Sequence, residues 1–164
     1  MDNYYNSIAD SYIELHKEEQ LSKLRIIKEN LNVKKGDFLL DVGCGPCFSS
    51  EVFDCNVIGI DPSENLLAKA KKRKGLHLIR GFAESIPFRD REFDFVICVS
   101  AVHNFEDIEE GISEIERVAK RDVAVTIMRK SPKADYIRKI VLEKFRVKKE
   151  IKEEKDLIII AERK

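Results

Sequence analysis

The sequence of 164 residues contains no tryptophan, a single glutamine (Gln20) and no long apolar run. A membrane-spanning helix needs ~20 consecutive apolar residues, so we expect no segment of the chain to cross a membrane. Residues 1–4 lack the basic and apolar regions of a signal peptide, which predicts a cytoplasmic protein. Charged residues reach 37%, and with so little tryptophan and glutamine this composition is typical of a thermophile's protein.

The chain has no excess of either basic or acidic residues, because Lys plus Arg and Asp plus Glu both total 30. Net charge therefore indicates nothing about partners. The distribution is less even: residues 129–164 hold 13 basic and 7 acidic side chains. Such a segment either meets an anionic substrate or is solvated surface.

The four cysteines are wrongly spaced for a tetrahedral zinc site. Cys44 and Cys47 form a C-x-x-C pair, but no second pair of similar spacing follows. Cys55 and Cys98 lie in or beside apolar runs, where a free cysteine behaves as a small hydrophobic residue. We therefore predict neither a metal site nor a redox role.

Apolar runs and helical periodicity indicate an alternating order of strands and helices. The strands are predicted at 38–42, 56–60, 76–79, 93–99, 123–128, 146–154 and 157–161. The helices are predicted at 48–53, 65–74, 108–119 and 134–145, with two more inside 4–31 and a break near 16–19.

Near-continuous apolar strands that alternate with helices predict a mostly parallel sheet covered on both faces. The last two strands are close enough to form an antiparallel pair. We thus predict an α/β protein with a three-layer αβα, Rossmann-like sheet that closes with an antiparallel strand. Residues 1–164 are expected to form one domain, with residues 1–33 as an N-terminal helical lid.

Residues suited to ligand binding follow four successive strands, at the edge where parallel sheets bind ligands. They are Gly43-Cys44-Gly45, Asp61, Gly81-Phe82-Ala83-Glu84 and Ser100-Ala101-Val102-His103. Glycines let a backbone approach its ligand closely. An acid after the second strand can accept both hydrogen bonds of a ribose diol, and the Ala83-Glu84 pair suits a purine with Phe82 or Ile86 beside its ring.

These segments resemble the motifs of class I S-adenosylmethionine-dependent methyltransferases, in particular the small ubiquinone/menaquinone-type branch. Asp41-Val42-Gly43-Cys44-Gly45 is similar to the D-x-G-x-G motif, and Gly59-Ile60-Asp61 to the second motif. Residues 81–88 resemble G-x-A-E-x-L-P-F, and residues 93–96 with 100–103 resemble F-D-x-V followed by L-H-H-F. Residues 5–12 resemble the Y-D-x-x-A-x-x-Y entry.

The resemblance implies the class I methyltransferase fold, S-adenosylmethionine as cofactor and a role for each matched residue. Gly43, Cys44 and Gly45 would face the methionine part of the cofactor, with Asp41 ordering the loop. Asp61, followed by Pro62, would hold the ribose, while Phe82, Ala83 and Glu84 would contact the adenine. Ser100 and Val102 would line the methionine side, and Tyr12 would close over the cofactor. The sequence departs from the family at Cys47, where many members have a third glycine, and at Asn104, which replaces a second histidine.

His103 is the candidate general base for methyl transfer, since its unperturbed pKa is ~6.5 and it follows the fourth strand. The alternative is that His103 only shapes the pocket. An N/D-P-P-Y/F segment is absent after that strand, which argues against methylation of exocyclic amines and glutamine amides. We expect a small-molecule acceptor.

Three other functions stay open at the sequence level. RNA or protein could be the acceptor, with residues 129–149 meeting phosphates and a partner subunit completing the site. An inactive methyltransferase fold would serve as a scaffold. A nicotinamide-dependent dehydrogenase is disfavoured, because Phe48 occupies the third glycine position of G-x-G-x-x-G.

Overall fold

The computed structural model describes the backbone of residues 2–164 and the side chains of residues 10, 11 and 15–164. The helices are α1 (Asp2–Asn30), α2 (Ser49–Val52), α3 (Glu64–Leu67), α4 (Ile108–Val118) and α5 (Ala134–Lys144). The strands are β1 (Phe38–Val42), β2 (Asn56–Asp61), β3 (Leu76–Arg80), β4 (Phe93–Cys98), β5 (Ala119–Met128), β6 (Phe145–Lys152) and β7 (Asp156–Arg163). A 3₁₀ turn covers Val102–Asn104. Within the described range, no helix is both long enough and apolar enough to cross a membrane.

All seven strands form one sheet in the order β3-β2-β1-β4-β5-β7-β6. The first five strands are mutually parallel. β7 runs antiparallel to both of its neighbours, β5 and β6. The predicted mostly parallel sheet with an antiparallel closing pair is therefore confirmed.

Two apolar clusters cover the two faces of this sheet. On one face, Leu24 and Ile27 of α1 pack with strand residues that include Phe95. On the other, Ile112 of α4 and Ile137 of α5 belong to a second cluster. The predicted three-layer αβα arrangement is confirmed, and the carboxyl ends of β1, β2 and β4 meet at one edge.

The predicted break in the N-terminal helix is wrong, because α1 continues without interruption from Asp2 to Asn30. Residues 16–19, His-Lys-Glu-Glu, contain neither glycine nor proline and include good helix formers. The apolar pattern fades there because this turn is largely solvated, not because the helix ends.

The helix predicted at 65–74 is also wrong in length, since α3 ends at Leu67. Five of the six residues in 69–74 are basic, and like charges three or four residues apart destabilise a helix. In addition, the Arg73 guanidinium donates to the carbonyls of Ser50, Phe53 and Cys55 at 2.8–3.0 Å. Arg73 thereby satisfies carbonyl groups in and after α2 and does not continue α3.

Candidate functional site

The loop after β1 forms a tight turn against the end of β2. The N–H groups of Gly43 and Cys44 both donate to the Ile60 carbonyl, at 2.8 and 3.1 Å. Gly43 has φ +70°, and a Cβ at this position would lie 2.5 Å from the Cβ of Ala101. The loop after β1 therefore sits directly against the segment after β4, which leaves no room for a side chain at position 43.

Asp61 ties this loop to the turn that follows β2. Its Oδ2 accepts the Gly45 N–H at 2.8 Å, and its Oδ1 accepts the Ser63 N–H at 2.8 Å. Burial raises the pKa of Asp61, and the hydrogen bonds from Ser63 and Gly45 partly offset that rise. Each carboxylate oxygen retains a lone pair with which to accept a ribose hydroxyl.

Asp41 lies at the base of the same loop and is almost fully buried. Its Oδ2 accepts the hydroxyl of Ser49 at 2.5 Å. Burial raises the pKa of Asp41 to about 7; the Ser49 hydrogen bond lowers it, and the Asp61 charge raises it further. Two buried carboxyl groups thus flank the glycine loop, which makes this site favourable for a cation.

Cys47 adopts φ +54° even though it is not a glycine. The left-handed conformation typical of a third glycine is therefore retained with a cysteine at that position, at a cost of about 1–2 kcal/mol. A hydrogen bond to Cys47 and burial raise the pKa of the Cys44 thiol, so Cys44 is poor in the thiolate that metals and oxidants require. Among the described residues, no group of three or more His, Cys, Asp or Glu side chains is arranged to hold a metal ion.

The segment predicted to meet adenine is only partly exposed. The Phe82 ring is 53% exposed, whereas Ala83 is buried. Glu84 Oε1 accepts the N–H of Asp107, the N-cap residue of α4, at 3.2 Å. Pro62 is exposed, and its carbonyl accepts a hydrogen bond from Arg80.

Ser100 links β4 to the N-terminal helix. It has φ +57°, its N–H donates to Thr126 Oγ1 at 2.7 Å, and its hydroxyl accepts from Lys23 Nζ at 2.7 Å and Gln20 Nε2 at 3.2 Å. Val102 behaves differently, because its side chain is fully buried in the cluster between the sheet, α4 and α5. It supports the 3₁₀ turn from below. The predicted contact of Tyr12 lies outside the described side chains.

A buried ion pair next to Ser100 was not anticipated from the sequence. Lys23 Nζ lies 2.8 Å from Asp156 Oδ2, and both side chains are almost fully buried. Helical spacing offered a signal for Lys23, since Gln20, Lys23 and Ile27 share the buried face of α1. The sequence offers no such signal for Asp156, because the strand pattern predicts a turn at 155–156.

His103 lies in the 3₁₀ turn beside this pair. Its carbonyl accepts a hydrogen bond from Lys133 Nζ at 3.2 Å, while its Nδ1 is buried and has no hydrogen-bond partner among the described residues. Burial lowers the pKa of His103; the charge of Asp156 raises it, and those of Lys133 and Lys23 lower it. The imidazole is therefore neutral at pH 7 and is able to accept a proton.

The glycine loop and α1 enclose a narrow cavity of about 20 Å³. Its walls include Asp41 and Gly43 on the sheet side and Gln20 and Leu24 on the helix side. A ligand as large as S-adenosylmethionine needs several hundred Å³. The carboxyl groups and glycines suit the cationic methionine end of this ligand, which is larger than the cavity between the loop and α1.

A family model and several curated proteins are similar to this chain. The family described as "Methyltransferase domain" matches residues 40–127. A demethylmenaquinone methyltransferase of Staphylococcus saprophyticus is 39% identical over 106 residues, which cover 58% of this chain and 45% of that protein. The chain spans about half the length of the curated relatives it matches.

Two solved structures share the whole fold. An S-adenosylmethionine-dependent methyltransferase of Aquifex aeolicus superposes with a TM-score of 0.80 at 19% identity, over 97% of this chain and 98% of that one. A Haloferax volcanii methyltransferase in complex with the Trm112 activator gives 0.79 at 14% identity, over 98% and 95%. With the match over residues 40–127, the chain belongs to the methyltransferase domain family, whose cofactor is S-adenosylmethionine.

Proposed function

We propose that this chain transfers a methyl group from S-adenosylmethionine to a small-molecule acceptor. The observation that carries the proposal is the pair of buried carboxyl groups, Asp41 and Asp61, on either side of the glycine loop. Keeping two neighbouring buried acids ionised is unfavourable unless a cation compensates them. The cofactor has an ammonium group and a sulfonium centre, which supply that positive charge.

When bound, S-adenosylmethionine supplies an electrophilic methyl group and leaves as a neutral thioether. The chain has to hold the donor, align the acceptor and exclude water. In this proposal Asp61 accepts the ribose hydroxyls, and Asp41 faces the ammonium group through the loop that Gly43 and Gly45 form. Ser100, whose two lone pairs already accept hydrogen bonds, keeps its hydroxyl hydrogen for a ligand.

A small acceptor is favoured by the enclosure of the site beneath α1. The relative from Staphylococcus saprophyticus is named for a quinone-type substrate, which supports a small molecule as the acceptor class. An RNA substrate is less favoured. Several basic side chains of residues 129–149, the segment that would meet phosphates, already donate hydrogen bonds to other groups of the chain. These are Arg129, Arg138, Lys148 and Lys149.

Calorimetric titration with S-adenosylmethionine, S-adenosylhomocysteine and NAD tests the cofactor. We expect saturable binding of the first two, no binding of NAD, and loss of binding in Asp61→Ala. The matched control is Asp54→Ala, an exposed aspartate on the turn after α2, which should bind as the unchanged protein does. Equal binding by both variants, or none by the unchanged chain, would contradict the proposal.

Transfer of a labelled methyl group into fractionated cell extract tests the acceptor. Label in the low-molecular-weight fraction, at a rate insensitive to salt, is expected. Label in RNA, with transfer that weakens steeply as salt rises, would instead identify a nucleic acid. Transfer that needs an added protein fraction would indicate a partner subunit, as the Haloferax volcanii protein has in its complex with Trm112.

A further inference from the structure

Two buried polar atoms beside the methionine side of the site lack partners. They are Nδ1 of His103 and Oδ1 of Asp156, and neither has a hydrogen-bond partner among the described residues. A buried, unsatisfied polar atom costs about 1–3 kcal/mol, so two of them on residues whose charges interact call for an explanation. One atom is on an imidazole and the other on a carboxylate, which are natural partners for each other.

The structure already holds Asp156 in place through its other oxygen. Lys23 Nζ binds Asp156 Oδ2 at 2.8 Å and also donates to Ser100 Oγ at 2.7 Å. Ser100 precedes Ala101, which contacts the glycine loop. A continuous series of contacts therefore runs from the glycine loop through Ala101, Ser100 and Lys23 to Asp156.

The charged groups around His103 come from three further elements. Asp156 begins β7, Lys133 precedes α5, and Lys23 lies on α1. Farther out, Glu19 lies 3.7 Å from Lys23 Nζ and 3.5 Å from Lys155 Nζ. Asp156 is the anion whose charge favours the protonated form of His103, while Lys23 and Lys133 oppose it.

We propose that Asp156 is the positioning residue of a His103–Asp156 dyad that removes a proton from the methyl acceptor, an inference that rests on the proposed function. In this dyad His103 Nδ1–H donates to Asp156 Oδ1, which leaves Nε2 as the free base. Nε2 takes the acceptor's proton as the bond from the acceptor atom to methyl forms and the methyl–sulfur bond breaks. The sulfur keeps the bonding electron pair, and the proton passes from the imidazolium to solvent.

This dyad defines a class of acceptor. A base is useful only where the attacking group carries a proton that it must lose, as a hydroxyl, an amine or a thiol does. Thioethers and tertiary amines do not belong to this class, because they attack without losing a proton.

Nitrogen-15 NMR of the histidine rings tests the dyad without knowledge of the acceptor. The chain has three histidines, so His16 and His77 serve as internal references. In protein saturated with S-adenosylhomocysteine, we expect neutral His103 to carry its proton on Nδ1. In Asp156→Asn that tautomer should be lost, and the pKa of His103 should fall because the neighbouring anion is gone.

Lys133→Met is the matched control, since it removes an exposed cation that contacts the His103 carbonyl and leaves Asp156 intact. The pKa of His103 should rise in this variant, with the Nδ1–H tautomer kept. General loosening of the fold would shift both variants in the same direction. Opposite shifts therefore exclude general loosening, and the Nδ1–H tautomer identifies the dyad.

A proton on Nε2 in the unchanged protein, or a tautomer unaffected by Asp156→Asn, would overturn the dyad. The first result needs no variant, so it decides the matter even if Asp156→Asn fails to fold. Once an acceptor is found, Asp156→Asn should lower kcat by at least tenfold with little change in KM. This loss is part of the ~10²–10⁴-fold that general-base catalysis contributes in total. Failure to bind S-adenosylhomocysteine would reject the proposed function instead, and the tautomer could still be observed in the free protein.

Discussion

The carboxyl group of Asp41, buried beneath the glycine loop, has a pKa of about 7. A cationic ligand stabilises the ionised form, so binding should release a proton whenever Asp41 starts out protonated. We expect the affinity for S-adenosylmethionine to rise from pH 6 to pH 8, by up to ~10-fold per unit below pH 7. Calorimetry in buffers of different ionisation enthalpy measures the released proton.

Two controls isolate this effect. Asp41→Asn should make the affinity nearly independent of pH, and S-adenosylhomocysteine, which lacks the sulfonium charge, should show a shallower dependence. The stability of the free protein should depend on pH in the opposite direction, falling as pH rises. Because the folded-state pKa lies above the unfolded value, the contribution of Asp41 is present below about pH 4 and is lost as pH rises towards 7, at up to ~1.4 kcal/mol per unit. A flat profile would show that Asp41 is ionised throughout.

Gly43 is the other residue on which the loop depends. Gly43→Ala should lower the free energy of unfolding by about 2 kcal/mol or more, since the new Cβ would overlap Ala101 and φ is +70°. Gly36→Ala is the matched control, because a Cβ there meets nothing within 4 Å. That variant should be neutral or stabilised by up to about 1 kcal/mol. Urea unfolding of both variants provides the comparison, and equal losses would contradict it.

At the scale of elements, Arg117 of α4 fastens the connection between β3 and β4. Its guanidinium donates to the carbonyls of Ile86 and Phe88 at 2.9 and 2.8 Å and pairs with Asp90 and Glu114. Arg117→Met should cost about 2 kcal/mol of unfolding free energy, since two carbonyls lose a charged donor. It should also weaken cofactor binding, because Phe82 and Glu84 lie on the same connection.

Arg138→Met is the control for Arg117→Met, as Arg138 forms a solvent-exposed pair with Glu150. Exposed pairs contribute about 0–1 kcal/mol, so this variant should unfold nearly as the unchanged protein does. Thermal unfolding and limited proteolysis of residues 81–91 would check both effects. Unchanged protease resistance in Arg117→Met would mean that the connection holds without it.

The strands could be predicted from the sequence because parallel strands buried on both faces are apolar almost throughout. Helix lengths were harder, since α1 continues through a solvated turn and Arg73 is used for capping rather than for α3. The glycine loop and Asp61 could be placed because they follow strands directly. The pairing of Lys23 with Asp156 could not be predicted, because the two residues are far apart in the chain; helical spacing indicates only that Lys23 lies on the buried face of α1.

At the scale of the molecule, we propose that residues 1–164 unfold as one cooperative domain. Successive β4 side chains alternate between the two clusters, with Phe95 and Ile97 in one and Val96 and Cys98 in the other. Neither cluster can lose its packing without disturbing the other. Urea unfolding followed by far-UV circular dichroism and by tyrosine fluorescence should give a single midpoint. Two different midpoints would show that parts of the chain unfold independently.

The reversed direction of β7 also bears on the order in which the site is made. Because β7 is antiparallel and lies between β5 and β6, its first residue, Asp156, reaches the same edge as the ends of β1 and β2. During synthesis, Asp41, Gly45 and Asp61 leave the ribosome well before Asp156, and Lys23 has no buried counter-charge until β7 enters the sheet. A nascent chain thus acquires the groups that hold the methyl donor earlier than the group that would activate the acceptor.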